Sequence, residues 1–342
     1  MNMAAMRDAL DTDESDLMEA GPQLENLPAG PASHRNRWGV VLAGGEGTRL
    51  RTLVKFFCGE ERPKQFCPLF DGRTLLAQTL RRAALTIPRS QLLVSVAEHH
   101  RKWYLQEAGL PTDQLIVQPS NRGTAPAIVH SVLSVAQIDE NALVAILPSD
   151  HHYSNESRFA AALESAFAGA ERCSHAVVML GARADYPETE YGWIELGESL
   201  PQQNELFEVR GFREKPCFET AQKLWLSQDS VWNTFVMVGQ VKAFLEMFYH
   251  ALPELTAELA LSTLWRGSET HIEPSLYKEI PSTDLSRQVL SAETKRLLVL
   301  RLGDVGWCDL GGPERVLAMF PPGSVPTWIS EWRRSNGVEV MV

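Results

Sequence analysis

The chain has 342 residues, 44% apolar and 22% charged, with a formal net charge of −11, a balance that suits one large α/β domain or a domain with a small appendage. Net acidity argues against nonspecific nucleic-acid binding, which needs a basic footprint, and no stretch approaches the roughly 18–20 apolar residues of a membrane-spanning helix. The five cysteines are odd in number and form no C-x-x-C pair, so neither a disulfide framework nor a zinc site is indicated and a reducing cytoplasm is the expected compartment.

Residues 1–32 carry seven acids against Arg7 alone, a net −6 that leaves −5 for the rest of the chain. They close on Pro28-Ala-Gly-Pro-Ala32, lack the basic start and apolar core of a signal peptide, and read as a disordered tail. Order is expected from Trp38-Gly-Val-Val-Leu42, a short buried strand that runs into glycines. Further strands are predicted at 91–97, 114–117, 142–147 and 175–181, alternating with helices at 73–86, 99–108, 124–137 and 157–172. That alternation predicts a mainly parallel sheet with helices on both faces, and right-handed crossovers make it Rossmann-like and doubly wound. After about residue 185 the strands shorten (191–195, 205–213, 234–238), some of them antiparallel, between helices at 217–227 and 241–265. Residues 33–342 thus read as one α/β domain on a mixed sheet, with a C-terminal extension from 317.

The strongest local signal is Leu42-Ala-Gly-Gly-Glu-Gly-Thr-Arg-Leu50, directly after the first strand. Ligands of doubly wound sheets sit beyond the carboxyl ends of the strands, where glycines let backbone N–H groups approach phosphate oxygens. Leu50 stands where a dinucleotide fingerprint needs its third glycine, and the G-K-[ST] of a P-loop is missing. From the glycines alone, a tight strand-to-helix turn is an equally good reading. Arg49 and the downstream Arg62-Pro-Lys-Gln-Phe66 add the cations a polyphosphate requires. Pro148-Ser-Asp150 follows an apolar run, so Asp150 should emerge at the carboxyl edge of the sheet near the glycines. There it suits Mg²⁺, a hard ion that prefers oxygen ligands, or serves as a helix cap or turn residue. His99-His100 reads as a surface pair at a helix start. His151-His152 lacks the i, i+4 spacing of a helical metal site. Trp232, Trp265, Trp307 and Phe56-Phe57 read as packing residues.

Seven motifs in order carry a resemblance: Gly44-Gly-Glu-Gly-Thr-Arg-Leu50 with Arg62-Pro-Lys-Gln-Phe66, Thr124-Ala-Pro-Ala127, Leu147-Pro-Ser-Asp-His151, Glu190-Tyr-Gly-Trp-Ile-Glu195, Phe212-Arg-Glu-Lys-Pro216, Trp232-Asn-Thr-Phe-Val236 and Gly306-Trp-Cys-Asp-Leu-Gly311. From Trp38 to about Val316 the chain resembles sugar-nucleotide pyrophosphorylases, most closely the bacterial mannose-1-phosphate guanylyltransferases. The resemblance implies a nucleotide-diphospho-sugar transferase type of fold, with 33–185 mainly nucleotide-binding and 186–316 a small antiparallel portion that binds the sugar phosphate. It implies GTP and mannose 1-phosphate as partners, Mg²⁺ as cofactor, and allows a homodimer. Arg49 and Lys64 would be catalytic. Leu42, Ala43, Gly44, Gly45, Gly47, Thr48, Gln118, Gly123, Thr124 and Ala125 would hold the nucleotide. Tyr191, Gly192, Glu214, Lys215 and Asn233 would hold the sugar phosphate, with Asp150 and Asp309 on the metal.

Three positions depart from the family pattern. Thr52 replaces a common proline and is expected to loosen the loop after Arg49, which 54–61 lengthens, and Gly123 replaces an asparagine common before Thr124. A transferase for another nucleotide and sugar pair is one alternative, and a nucleotide-sugar sensor without turnover is another. The chain ends before the isomerase domain fused to some longer relatives, so phosphomannose isomerase activity is not expected.

Overall fold

The structure, a computed structural model, describes residues 34, 36–107, 110, 112–201, 205–265, 272, 274–320 and 326–335. The acidic tail assigned to 1–32 lies outside the described residues, as do 336–342 and the side chain of Trp265.

Eleven strands are described: β1 (Arg37–Leu42), β2 (Leu92–Ala97), β3 (Leu115–Gln118), β4 (Leu143–Pro148), β5 (His152–Tyr153), β6 (Val177–Arg183), β7 (Gly192–Ser199), β8 (Leu206–Glu214), β9 (Ser230–Gln240), β10 (Leu297–Arg301) and β11 (Trp307–Cys308). Nine form one mixed sheet in the order β3-β2-β1-β4-β9-β6-β10-β8-β7, and β5 pairs with β11 apart from it. The expected parallel half is present, since β1 lies parallel to both β2 and β4, and β2 to β3. From β1 the chain steps outward to β2 and then β3 before it returns to β4 on the other side of β1. The switch point therefore lies between the carboxyl ends of β1 and β4.

Alternation along the strands explains why both faces are closed. Val40, Val144, Ile146, Met179 and Val299 point to one side, where they meet Ile128, Val129 and Val132 of the helix Thr124–Ile138. Val41, Ala145, Leu147, Val178 and Leu180 point to the other and meet Leu76, Leu80, Leu163 and Phe167. Successive strand residues face opposite sides, and burying each aliphatic side chain contributes about 1.5–3 kcal/mol.

The helices are α1 (Arg51–Cys58), α2 (Leu75–Ala83), α3 (Arg101–Tyr104), α4 (Thr124–Ile138), α5 (Glu156–Arg172), α6 (Phe218–Ser227), α7 (Val241–Ala251), α8 (Pro253–Trp265), α9 (Pro274–Glu279), α10 (Pro313–Ala318) and α11 (Thr327–Ser335). Caps fix several starts: the Thr74 hydroxyl accepts from the Ala77 N–H, and the Asn155 side chain from the Arg158 N–H.

Several expectations are corrected. The helix read at 241–265 is two, because Pro253 disfavours helix in the residue before it and opens the next one. The helix read at 99–108 shrinks to a 3₁₀ turn at 98–100 and the single turn α3. The lengthened loop at 54–61 is largely α1, whose Leu53 and Val54 are buried against Ile329 and Trp332 of α11. Thr52 lies in the first turn of that helix, on its exposed side, rather than in a loop. Strand β10, a Leu-rich run not read as a strand, joins the two halves of the sheet, parallel to β6 and antiparallel to β8. The short strand expected at 234–238 is the eleven-residue β9, inserted antiparallel between β4 and β6 at the centre of the sheet. The sheet therefore crosses residue 185 without a structural boundary.

Candidate active site

A cleft of about 630 Å³ opens beyond the carboxyl ends of β1 and β4. At one end the chain leaves β1 through Ala43–Gly47, and the Ser149 hydroxyl and N–H tie the chain leaving β4 to the Leu42 carbonyl (2.6 and 3.2 Å). Leu42, Gly44, Gly45, Gly47 and Gln118 line this glycine-loop end, as do Gly123 and Thr124. Ala43 and Ala125 are buried behind the lining and Thr48 is exposed beside it. Gln65, not singled out from the sequence although it lies in the Arg62–Phe66 motif, staples the glycine loop. Its buried amide donates to the Ala43 and Gly45 carbonyls at 2.8 and 2.9 Å.

Gly123 is a backbone requirement. It precedes α4 with φ 88°, and a Cβ there would lie 2.5 Å from the Thr283 carbonyl oxygen. The glycine that replaces the family's asparagine thus lets segment 282–288 close over the helix start. Ala125 N–H donates to the Thr283 carbonyl, Thr283 N–H to the Arg122 carbonyl, and Leu285 N–H to the Thr124 hydroxyl. Ser282, Thr283, Asp284, Ser286 and Gln288 consequently line the cleft, and no local motif marks them.

The opposite end is built by three antiparallel strands. Gly192 opens β7 opposite Glu214 of β8, and Asn233 lies alongside on β9. A Cβ on Gly192 would meet the Glu214 carboxylate at 2.9 Å and Asn233 Cβ at 3.3 Å, so its absence brings those side chains to one point. Burial pushes the Glu214 carboxyl above its usual value, and the charge of Asp284 adds to the shift. Between Met179 and Gly181 of β6, strand β9 bulges, and Phe235 inside the bulge adopts φ 61°. Lys215 has φ 46° and donates its N–H to the Tyr191 carbonyl, and Leu310 has φ 48°. Of five non-glycine residues with positive φ among those described, Lys215 and Phe235 line the cleft and Leu310 follows the cleft residue Asp309. Left-handed backbone costs about 1–2 kcal/mol per residue and concentrates where geometry is functional.

Between the two ends lie the expected carboxylates and Lys64. The Lys64 ammonium, 11% exposed, stands 3.0 Å from Asp150 Oδ2 and donates to the Leu310 carbonyl at 3.1 Å and the Asp309 carbonyl at 3.5 Å. Burial works against the Asp150 carboxylate, but the charges of Lys64 and His151 outweigh it and hold its pKa below the usual value. Burial also lowers His151, whose Nδ1 accepts from Trp307 Nε1 at 3.1 Å. Asp309 Oδ1 accepts from Arg315 (2.7 Å), the Gly311 N–H (2.9 Å) and the Tyr191 hydroxyl (3.1 Å). Its Oδ2 meets Arg315 at 2.9 Å. Glu188 holds the other arm of that guanidinium at 2.8 Å. Burial first, and Asp309 second, push the Tyr191 hydroxyl far above its ordinary pKa, so it remains a neutral donor. Arg315 and Glu188 are invisible as site residues in the sequence. Arg49 lies at the mouth, paired at 2.9 Å with half-exposed Glu190 across the cleft. Trp307 lines the cleft, while Trp232 is buried in an aromatic cluster with Tyr191 and Trp193.

His100 corrects the surface-pair reading. It is buried, packed edge-on against Phe66, while His99 stays exposed. No helix among the described residues is long and apolar enough to cross a membrane.

Known proteins resemble this chain. The xanthan biosynthesis protein XanB of Xanthomonas campestris pv. campestris is 30% identical over 285 residues, which cover 81% of this chain and 58% of that protein. A mannose-1-phosphate guanylyltransferase of Escherichia coli is 30% identical over 282 residues, covering 80% of this chain and 59% of its own length. The chain thus spans slightly under three fifths of these curated relatives. A crystal structure from Thermus thermophilus, described as a mannose-1-phosphate geranyltransferase, superposes with a TM-score of 0.68 at 29% identity, over 81% of this chain and 76% of that one. The family described as nucleotidyl transferase matches residues 38–321, and the chain belongs to it.

Proposed function

We propose that the chain transfers the nucleotidyl group of GTP to mannose 1-phosphate, releasing pyrophosphate and GDP-mannose. The observation that carries this reading is Lys64, which ties Asp150 to the 309–310 loop in the cleft that the glycine loop and Lys215 also line. A triphosphate at the glycine-loop end and a sugar phosphate at the antiparallel end would meet there. The names of the guanylyltransferase relatives support the substrates.

The second pKa of a phosphate monoester is near 6, so the sugar phosphate is a nucleophile at neutral pH and needs no general base. What remains is to align its oxygen with the α-phosphorus and to stabilise the departing pyrophosphate, a task of positioning and charge. Arg49 at the mouth and Lys64 in the centre are assigned to the triphosphate, and Lys215 to the sugar phosphate. Glu214 and Asn233, drawn together by Gly192, are assigned to sugar hydroxyls.

Five carboxylates (Asp150, Glu190, Glu214, Asp284, Asp309) line the cleft against the cations Arg49, Lys64 and Lys215. Two anionic substrates cannot be neutralised by that balance, so a further cation is called for. The donor set fits Mg²⁺: Asp150 Oδ1 is not the oxygen that Lys64 holds, and Asp309 Oδ2 meets Arg315 while the Gly311 N–H and the Tyr191 hydroxyl bond Oδ1. Asp150 Oδ1 and Asp309 Oδ2 would hold the ion, which when bound supplies positive charge to the phosphates.

The test is pyrophosphate release by purified protein with Mg²⁺, pairing each nucleoside triphosphate with several sugar 1-phosphates. Release confined to GTP with mannose 1-phosphate supports the assignment. Preference for another pair keeps the reaction and discards the substrates. Binding of GTP without release from any pair rejects the transfer reaction and favours a sensor.

A further inference from the structure

Gly45 and Gly47 line the cleft, whereas Glu46 between them does not. Because β1 and β2 are adjacent and parallel, the loops at their carboxyl ends abut, and Glu46 meets the Glu98–His100 turn. Glu46 Oε1 lies 2.8 Å from His99 Nε2, and Oε2 lies 3.7 Å from His100 Nε2. One ligand atom from each residue can be chosen so that all lie within 4.8 Å of one another, and the two imidazole centroids are 4.0 Å apart.

We propose that Glu46, His99 and His100 form a binding site for a divalent transition-metal ion, best suited to Zn²⁺ and separate from the Asp150–Asp309 pair. With metal–ligand bonds of about 2.0–2.1 Å, a tetrahedral ion sets its donors roughly 3.3–3.4 Å apart. The two Glu46–His distances fall on different carboxylate oxygens, and with one donor atom from each residue all separations stay within 4.8 Å, so side-chain rotation would bring the three donors to corners of a tetrahedron. His100 is 4% exposed and fixed by Phe66, which presents Nε2 in a set direction. His99 and Glu46 are partly exposed, which leaves a path for the ion and room for water as fourth ligand.

Two imidazoles with one carboxylate favour Zn²⁺, Co²⁺ or Ni²⁺ over Mg²⁺, which selects all-oxygen sites. A hydrogen-bonded trio is the alternative, in which a pair as exposed as Glu46 and His99 would contribute about 0–1 kcal/mol. An ion would tether Glu46 to the β2 turn and thereby fix the glycines on either side of it. The site is independent of the reaction proposed for the cleft.

The experiment is titration of the metal-stripped full chain with Co²⁺ alone, read by visible absorption, followed by displacement with Zn²⁺ and a challenge with excess Mg²⁺. One Co²⁺ per chain is expected, displaced by Zn²⁺ and resistant to Mg²⁺. Glu46→Gln and His99→Gln, both at partly exposed positions, should each weaken binding by at least about tenfold, the lower end of what even outer-shell changes cause. Asp150→Asn should leave it unchanged. The proposal fails if no Co²⁺ spectrum develops. It fails equally if Asp150→Asn abolishes binding that Glu46→Gln spares, or if a thiolate charge-transfer band assigns the ion to Cys58 and Cys67, whose sulfurs lie 2.8 Å apart.

Discussion

At the glycine-loop end of the cleft, the lining follows the carboxyl ends of the parallel strands β1 and β4, with Gln118 and segment 282–288 brought in from distant sequence. At the antiparallel end, side chains from three strands converge, and two residues there, Lys215 and Phe235, hold left-handed backbone. The difference indicates how each end discriminates. A backbone cradle recognises phosphate geometry, which all nucleoside triphosphates share, whereas converging side chains can distinguish one sugar hydroxyl pattern from another.

Substitution between the two ends should have the largest effect, because both substrates depend on the centre. Asp150→Ala is expected to lower turnover by about 10²- to 10³-fold or more, the usual consequence of losing a positioned charge stabiliser, and the same range is expected for Arg49→Ala. Steady-state pyrophosphate release checks both, with circular dichroism to establish that the fold persists. Near-normal turnover in either variant removes that residue from the chemistry.

Gly123→Ala tests the backbone cradle. The new Cβ would meet the Thr283 carbonyl at 2.5 Å in a left-handed conformation, so a loss of about 1–3 kcal/mol is expected, together with a raised KM for the nucleotide. Urea denaturation measures the first and initial rates the second. An unchanged denaturation midpoint would mean that segment 282–288 yields without cost.

Phe235→Gly tests the antiparallel end. It relieves about 1–2 kcal/mol of left-handed strain while removing a ring from the cleft wall. Discrimination among sugar 1-phosphates should fall about tenfold, at the low end of what one pocket contact contributes, with the nucleotide KM unaffected. Competition assays with paired sugar phosphates decide it, and intact selectivity would relieve Phe235 of a role in discrimination. The smallest effect is expected from Glu190→Gln at the mouth. Its pair with Arg49 is half exposed, so stability should change by less than about 1 kcal/mol. A larger shift in the thermal midpoint would show that the pair closes the cleft rigidly.

The readable part of the site was local. Gly44 to Arg49 follows a strand whose apolar run is evident, and Asp150 ends another, so both positions follow from strand polarity alone. Lys64 stood in a motif, yet its partner Asp150 lies far along the chain. Arg315 and Glu188 gave no signal, because their role consists of holding Asp309 and each other across 127 positions. The 282–288 segment was unreadable for the same reason, since what brings it to the cleft is the missing side chain of Gly123.

Hydrophobic periodicity determined the βαβα half, the helices at 75–83, 124–138 and 156–172 within a few residues and the edge at which a ligand would sit, because these depend on neighbours in sequence. Tertiary structure alone decided that β9 enters antiparallel between β4 and β6, that β10 joins the halves, and that His100 turns inward to Glu46. A central antiparallel strand has the same alternation as a peripheral one. Only pairing between distant segments, and the burial that rewards it, distinguishes the two.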